Sequence, residues 1–264
     1  MSRIYRLGLL ADRLETAAAT RTPIPPLRND VGAASVSAAY AVQAELTRRR
    51  VARGGRVVGR KVGLTSPAVQ AQLRVDQPDF GVLFADMQVA DGGTVPAGTL
   101  LQPKIEAEVA FVLREDLVGE LDLAQVRGAV AHAVAALEIV DSRIEDWDIG
   151  IVDTVADNGS SALFVLGGAH RTLDEIEPRD VGMSLSVDGR VASTGSGEAC
   201  LGDPLAALLW LARTAQDHGA PLRAGEVVLS GALGPMVTAV PGTTYFAEIT
   251  PLGSVSVEFG KEQA

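Results

Sequence analysis

The segment at residues 102–113, QPKIEAEVAFVL, constrains the fold more than any other part of the chain. Its apolar residues recur at every second position, which is the period of a β-strand with one face in a core. Glu106 and Glu108 therefore project together from the opposite face, about 7 Å apart at ~3.3 Å of rise per residue. A half-buried pair of like charges is costly without a compensating cation, and carboxylate oxygens suit a hard divalent one. An acidic strand face in water is the simpler alternative for this motif taken alone.

A third acid strengthens the metal hypothesis. Residues 121–135 are rich in Ala and predict a helix, and residues 136–143, ALEIVDSR, predict a second short strand that carries Glu138 among apolar residues. A strand, a helix and a strand return the chain to its own sheet, so Glu138 can lie beside Glu106 and Glu108. Three carboxylates with open positions for water or substrate suit Mg²⁺ or Mn²⁺ better than Zn²⁺.

The composition favours a globular protein that acts on small molecules. Of the 264 residues, 47% are hydrophobic and 21% are charged, which is enough for a large buried core. The formal net charge of −10 argues against binding to nucleic acid or to an anionic membrane, because both need clustered Lys and Arg. The single cysteine, Cys200, excludes an internal disulfide framework and fits a reducing compartment. Asp12 and Arg13 interrupt the N-terminal apolar residues before a signal-peptide core can form, so we expect a cytoplasmic location.

The chain divides into two predicted regions. Residues 1–55 form a helical N-terminal region, with apolar residues at helical spacing on both sides of a proline-rich break at residues 22–26. The second helix ends in three arginines at residues 48–50, which we interpret as solvated cations that complement the helix dipole rather than as an anion site. Residues 56–264 are predicted to form the second region, which carries the three acids.

Two further charged residues stand in apolar surroundings. Lys61 lies between glycines in a predicted strand at residues 57–65, where it is either a snorkelling edge residue or a functional cation. Asp79 leads from a loop containing Pro and Gly into an apolar strand. A glycine-rich loop at residues 229–236 lacks the Gly-Lys-Ser/Thr of a phosphate loop, and we expect its backbone N–H groups to approach a small carboxylate.

Eight segments, in order along the chain, together resemble one enzyme family. They are GRKVGLTS (59–66), VDQPDFG (75–81), LFADM (83–87), LQPKIEAE (101–108), ALEIVDSRI (136–144), VDTVADN (152–158), EACLG (198–202) and LSGALGPM (229–236). The chain resembles the 2-keto-4-pentenoate (2-hydroxypenta-2,4-dienoate) hydratases, which stand with the 4-oxalocrotonate decarboxylases in the fumarylacetoacetase-like superfamily. The segments QPDFG and GALGPM are more similar to the hydratase branch. The resemblance covers almost the whole chain and is weakest before Val51.

The resemblance implies a metal site made of the same three acids. It implies that Glu106, Glu108 and Glu138 hold Mg²⁺ or Mn²⁺, in agreement with their spacing. Asp141, three residues after Glu138, is the rival third ligand, but on a strand it faces the opposite side.

The resemblance also implies the remaining parts of an active site. Lys61 and Asp79 are expected to be the paired cation and acid near the substrate, and Leu73 and Ser160 to contact the substrate. The implied fold is α+β, a mixed β-roll of the fumarylacetoacetase type with a helical N-terminal region.

The implied activity is the metal-dependent hydration of 2-hydroxypenta-2,4-dienoate to 4-hydroxy-2-oxopentanoate during the breakdown of aromatic compounds. The first alternative is decarboxylation of 2-oxohex-3-enedioate (4-oxalocrotonate), which uses the same metal site. The second is a non-catalytic, metal-stabilised subunit that acts as a scaffold. The expected partners are the small 2-oxo or 2-hydroxy dienoate substrate, further copies of the chain in a homo-oligomer, and other enzymes of the same pathway.

Overall fold

The structure is a computed structural model that describes residues 3–31, 35–66, 70 and 77–261. The described helices are α1 (Arg3–Thr20), α2 (Arg28–Val31), α3 (Val36–Ala52), α4 (Leu123–Ala129), α5 (Ile151–Ala156) and α6 (Pro204–Asp217). The described strands are β1 (Val57–Gly63), β2 (Asp79–Phe84), β3 (Gln88–Val89), β4 (Gly93–Val95), β5 (Pro103–Leu113), β6 (Val130–Asp141), β7 (Ser161–Leu166), β8 (Gly182–Val187), β9 (Arg190–Ser196), β10 (Val227–Ala232), β11 (Val237–Thr238), β12 (Thr244–Thr250) and β13 (Gly253–Phe259).

The strands form two mixed sheets. The larger sheet has the order β2-β1-β10-β5-β6-β7-β3, with β11 also paired to β5. The smaller sheet has the order β4-β13-β12-β8-β9. Pairing is antiparallel except between β1 and β10, β3 and β7, and β4 and β13. Mixed sheets joined to a helical N-terminal region confirm the predicted α+β class.

The alternation predicted for residues 102–113 is present in β5. Ile105 and Val109 belong to the main hydrophobic core, which also includes Leu14 of α1 and Tyr245 of β12. Ala110, two positions beyond Glu108, belongs to a smaller apolar cluster. One side of β5 therefore packs in the main core while the other carries the acids, because successive strand residues point to opposite faces.

The N-terminal helices pack against each other and against the larger sheet. Leu14 of α1 and Ala39 of α3 are buried in the main core. Arg49 of α3 pairs with Asp12 and Glu15 of α1, each at 2.7 Å. The arginines at the end of α3 therefore do more than complement the helix dipole, because one of them also joins the two helices. The division at residue 55 stays a prediction.

The helix predicted for residues 121–135 is wrong in extent. Helix α4 covers only Leu123–Ala129, with Asp122 accepting a hydrogen bond from the backbone N–H of Gln125 at 2.8 Å as its N-cap. From Val130 the chain is already strand β6, which pairs along its length with β5. The Ala-rich composition favours a helix locally, but burial between two neighbouring strands outweighs this weak preference.

Among the residues that the structure describes, no helix has the length and apolar character needed to cross a membrane.

Candidate metal centre and active site

Three carboxylates meet on adjacent strands of the larger sheet. Glu106 and Glu138 are direct partners in the antiparallel pairing of β5 with β6, so their side chains lie on the same face. Glu108 follows on that face two residues later. One carboxylate oxygen from each residue lies within 4.8 Å of the other two. The sheet therefore brings together the three acids predicted as metal ligands, with Glu108 and Glu138 fully buried and Glu106 bordering a cavity.

These carboxylates are only partly satisfied by the protein. The backbone N–H of Gly231 donates to Glu108 Oε2 at 2.7 Å. Among the described residues, neither Glu108 Oε1 nor Glu138 Oε1 has a hydrogen-bond partner. A buried carboxylate oxygen without a donor is costly, and a divalent cation that takes oxygen ligands would compensate it. The donor set and its orphaned oxygens thus fit a hard divalent cation.

The electrostatics of the cluster agree with this fit. Burial, followed by the charge of Glu138, raises the pKa of Glu106 to about 7. The same two causes, with the charge of Glu106 added, raise the pKa of Glu108 well above its usual range. Without a cation, the three acids therefore resist ionisation together near neutral pH.

Lys61 is buried beside this cluster rather than at a strand edge. It is 3% exposed, and its Nζ lies 3.2 Å from Glu138 Oε2. Burial alone would lower the pKa of Lys61, but the carboxylates of Glu138 and Asp79 outweigh it and the pKa is raised. The lysine therefore stays protonated at neutral pH.

Glycines make room for the Lys61 side chain. A Cβ on Gly159 would lie 3.1 Å from Lys61 Cε, and a Cβ on Gly81 would lie 2.3 Å from the carbonyl oxygen of Asn158, beside Lys61. A side chain at Gly81 would force apart the backbone that encloses the lysine. Small residues at these positions are thus part of how the cation is placed.

Asp79 is the second charged group predicted for the site. It is 1% exposed, and Thr154 Oγ1 donates to its Oδ2 at 2.9 Å. Burial raises the pKa of Asp79, although the charge of Lys61 and the hydrogen bond from Thr154 oppose the shift. The other oxygen, Oδ1, has no hydrogen-bond partner within the described part of the chain. Asp79 thus offers a carboxyl oxygen that makes no hydrogen bond of regular geometry and whose proton affinity is increased.

The expected pairing of Lys61 with Asp79 is only partly what the structure shows. The ion pair of Lys61 at 3.2 Å is with Glu138. Asp79 nevertheless lies close by, since a Cβ on Gly63 would be 2.1 Å from Asp79 Oδ1 and 3.1 Å from Lys61 Nζ. The lysine therefore stands between the acid Asp79 and the proposed metal ligand Glu138.

Ser160 ends a strained turn beside the same cluster. Asn158, Gly159 and Ser160 have φ values of 56°, 62° and 54°. Such left-handed geometry costs a non-glycine residue about 1–2 kcal/mol and usually persists where surrounding contacts enforce it. Here Asn158 binds the backbone of Val82 on β2 in both directions, at 2.8 and 3.0 Å. Ser160 is 2% exposed and its Oγ lacks a hydrogen-bond partner among the residues described. Leu73, the other predicted substrate contact, lies outside the described residues.

One cavity of about 780 Å³ joins these groups. Its lining includes four of the predicted site residues, namely Lys61, Asp79, Glu106 and Ser160. Glu108 and Glu138 lie behind Glu106, at the buried end of the cluster. A small organic acid entering the cavity would reach the carboxylate cluster, the lysine and Asp79 from one side.

Several lining residues were not predicted. Thr154, which holds Asp79, lies in the segment VDTVADN, but nothing in its spacing points to this contact. Lys104 could have been found, because it shares the strand face of Glu106. Its Nζ lies 4.4 Å from the ring centre of Trp147, which also lines the cavity. The Gly231 N–H does approach a carboxylate, as expected of its loop, but the carboxylate is the protein's own Glu108.

Asp141, the rival third ligand, is used elsewhere. Its carboxylate accepts hydrogen bonds from the backbone N–H groups of Leu101 and Gln102, the latter at 2.6 Å. The strand alternation that separated it from Glu138 is thus confirmed.

Comparison with known proteins identifies the family. The family model for the C-terminal region of fumarylacetoacetate (FAA) hydrolase matches residues 50–259. A 2-keto-4-pentenoate hydratase of Burkholderia vietnamiensis is 52% identical over 98% of this chain and 99% of its own length. A 2-hydroxyhexa-2,4-dienoate hydratase of Comamonas testosteroni is 40% identical over 94% of this chain and 95% of its own.

A solved structure extends the likeness to the whole fold. It is the 4-oxalocrotonate decarboxylase of Pseudomonas putida G7, complexed with magnesium and adipate. It is 36% identical and covers 98% of both chains with a TM-score of 0.93. This agreement confirms the predicted fumarylacetoacetase-like fold. The chain therefore belongs to the fumarylacetoacetate hydrolase family, and within it to the 2-keto-4-pentenoate hydratases.

Proposed function

We propose that this protein is a metal-dependent hydro-lyase that converts 2-hydroxypenta-2,4-dienoate, the enol tautomer of 2-oxopent-4-enoate, to 4-hydroxy-2-oxopentanoate in the breakdown of aromatic compounds. The main support for this reaction is the 52% identity to a 2-keto-4-pentenoate hydratase over nearly the full length of both chains. The identity to the structurally similar 4-oxalocrotonate decarboxylase is lower, at 36%. Decarboxylation is therefore the second candidate.

Glu106, Glu108 and Glu138 would hold Mg²⁺ or Mn²⁺. Their all-oxygen donor set, and the buried oxygens of Glu108 and Glu138 that lack protein donors, support a hard cation. When bound, such a cation supplies Lewis acidity toward the carboxylate and 2-oxo oxygens of a 2-oxo acid.

Two lysines make the cavity suitable for an anion. Lys61 holds Glu138 by its ion pair at 3.2 Å and adds a fixed positive charge at the buried end. Lys104 borders the cavity and has no ion pair within 4 Å among the residues that the structure describes. We assign to Lys104 the attraction of the substrate carboxylate, because its ammonium group borders the cavity without an ion pair and attracts an incoming anion.

Asp79 is the group that we propose to move protons. Hydration requires that C5 of the dienoate gains a proton, that the hydroxyl of water adds at C4, and that C3 gains a proton as the 2-hydroxyl becomes a 2-oxo group. The Oδ1 oxygen of Asp79, which has no protein donor within the described residues, can take a proton from water and return it to carbon. Thr154 fixes the other oxygen and so orients the carboxyl group.

Ser160 is proposed to bind the substrate. Its buried hydroxyl has no hydrogen-bond partner within the described ranges, and it lines the cavity, so a polar atom of the substrate would satisfy it. The contact of Leu73 with the substrate stays a prediction.

The test is to offer the purified protein with Mg²⁺ two substrates, 2-hydroxypenta-2,4-dienoate and 2-oxohex-3-enedioate, and to identify the products by NMR. Formation of 4-hydroxy-2-oxopentanoate from the first is the expected result. Release of CO₂ from the second, without hydration of the first, would assign the protein to the decarboxylases. Inertness toward both would favour the scaffold alternative.

The cytoplasmic location, the homo-oligomer and the association with other enzymes of the pathway stay predictions. Size-exclusion chromatography with light scattering would test the oligomer.

A further inference from the structure

Gln43 is a polar side chain buried in helix α3. It is 3% exposed, whereas the other buried residues of this helix, Ala39, Tyr40 and Val42, are largely apolar. Its Nε2 donates to the carbonyl oxygen of Phe80 at 2.8 Å and to that of Val155 at 3.0 Å. Burying an amide costs free energy unless its hydrogen bonds are replaced, and here both N–H groups are used.

The two acceptors are the chain neighbours of Asp79 and of its hydrogen-bond donor Thr154. Phe80 directly follows Asp79 on β2, and Val155 directly follows Thr154 on α5. Thr154 in turn donates to Asp79 at 2.9 Å. One amide group therefore fixes the distance between the backbone that carries Asp79 and the backbone that carries its hydrogen-bond donor.

Other N-terminal residues hold the same two segments. The ring of Tyr40 stacks on that of Phe80, with centroids 4.7 Å apart. Arg28 donates to Asp153 of α5 through its backbone N–H at 2.9 Å and through its guanidinium at 2.6 Å. These contacts all come from residues before position 50, where the match to the family model begins. The N-terminal helices therefore contact β2 and α5 at residues adjacent to Asp79 and Thr154.

We propose that Gln43 is a positioning residue for Asp79, and that through it the N-terminal helical region sets the geometry of proton transfer. This proposal rests on the proposed role of Asp79. The amide holds the carboxyl group toward the cavity through the Phe80 and Val155 backbones without touching the substrate. A small displacement of a catalytic group lowers the reaction rate far more than it weakens substrate binding. We therefore expect the effect in kcat.

The decisive variant is Gln43→Met, which keeps the length of the side chain and removes both donors. We expect kcat to fall roughly 10- to 10²-fold while KM and the Mg²⁺ affinity change less than about threefold. Gln216→Met is the control for losing two glutamine hydrogen bonds outside the cavity, since the more exposed Gln216 donates one bond to the Gly119 backbone and accepts one from it. Both variants should lose a few degrees of Tm, but only Gln43→Met should lose turnover.

A double-mutant cycle with Asp79→Asn separates this proposal from the proposed function. If Gln43 acts through Asp79, Gln43→Met should reduce kcat little further in the Asp79→Asn background. Near-normal turnover of Asp79→Asn alone would overturn the role of Asp79 and the positioning proposal with it. Slow turnover of the Asp79→Asn variant together with normal turnover of the Gln43→Met variant would overturn the positioning proposal alone. Losses of kcat that are fully additive in the double variant would do the same.

A second variant protects the test against a folding failure. Gln43→Glu keeps the shape and, when protonated in this buried site, one of the two donors. It should show a kcat between those of wild type and Gln43→Met. A folded Gln43→Glu with wild-type kcat would overturn the proposal if Gln43→Met does not accumulate as folded protein.

Discussion

Replacing Glu108 by Gln should weaken metal binding. In the metal-free protein, the same change should remove the free-energy cost of ionising a buried carboxylate. The amide oxygen of Gln can still accept the hydrogen bond that Gly231 donates at 2.7 Å. The NH₂ group, however, takes the place of Oε1, which has no protein donor among the described residues and is the oxygen free to bind a cation. The change thus removes one charged ligand at nearly constant shape.

The magnitude follows from the number of ligands. Loss of one of three carboxylates should weaken Mg²⁺ binding at least as much as loss of an outer-shell partner, about 10²-fold or 2.7 kcal/mol. With Mg²⁺ at about 100 times the wild-type Kd, binding stabilises wild type by about 2.7 kcal/mol and the variant by only about 0.4 kcal/mol. The metal-induced rise in Tm should therefore be smaller in the variant by roughly 5–9 °C.

When a chelator removes the metal, the substitution should no longer make the protein less stable than wild type. Burial raises the pKa of Glu108 in the folded protein, so its favourable contribution to folding is complete below the unfolded pKa and is lost as pH rises through the folded value. Gln does not ionise and escapes this loss. At pH 8 without metal, Glu108→Gln should consequently be at least as stable as wild type, and the advantage should shrink toward pH 5.

Thermal unfolding with and without Mg²⁺, together with calorimetric titration of the metal, tests both parts. Asp141→Asn is the matched control, because Asp141 is equally buried but its carboxylate binds the Leu101 and Gln102 N–H groups instead of facing the cluster. Its metal affinity should equal that of wild type. A metal-induced shift in Glu108→Gln as large as in wild type, or a Tm in chelator at pH 8 well below that of wild type, would refute the reasoning.

Three further predictions concern the other groups of the site. Asp79→Asn should bind Mg²⁺ normally but lose turnover by ~10²-fold or more, because its amide cannot exchange a proton at neutral pH; steady-state kinetics with near-normal rates would remove Asp79 from the mechanism. Lys61→Met leaves Glu138 without its partner at 3.2 Å, so both turnover and the Tm of the metal-free protein should fall; a loss of stability without a loss of turnover would make the lysine purely structural. Metal affinity should weaken as pH falls through about 7, since the pKa of Glu106 is about 7 in the metal-free site and protons then compete with the cation; calorimetric titrations at pH 6, 7 and 8 that give one affinity would contradict this.

The sequence by itself determined the features that depend on local periodicity. The alternation in residues 102–113 predicted strand β5 and the common face of Glu106 and Glu108, and both are present. The same rule placed Asp141 away from Glu138. These predictions succeed because side-chain direction along a strand follows from backbone geometry alone.

The tertiary structure decided which distant groups meet. Ala-rich residues after 129 became strand because β5 and β7 flank them, which local propensity does not encode. Lys61 on β1 makes its ion pair with Glu138 on β6, although β2 with Asp79 is the neighbouring strand of β1 and β6 is not, so adjacency along the sheet does not reveal this pair. The bond from Thr154 to Asp79 spans 75 residues, and that from Gln43 to Val155 spans 112. Such contacts depend on sheet register and helix packing, which fix position in space through many weak interactions shared by the whole core and leave no periodic trace in the sequence.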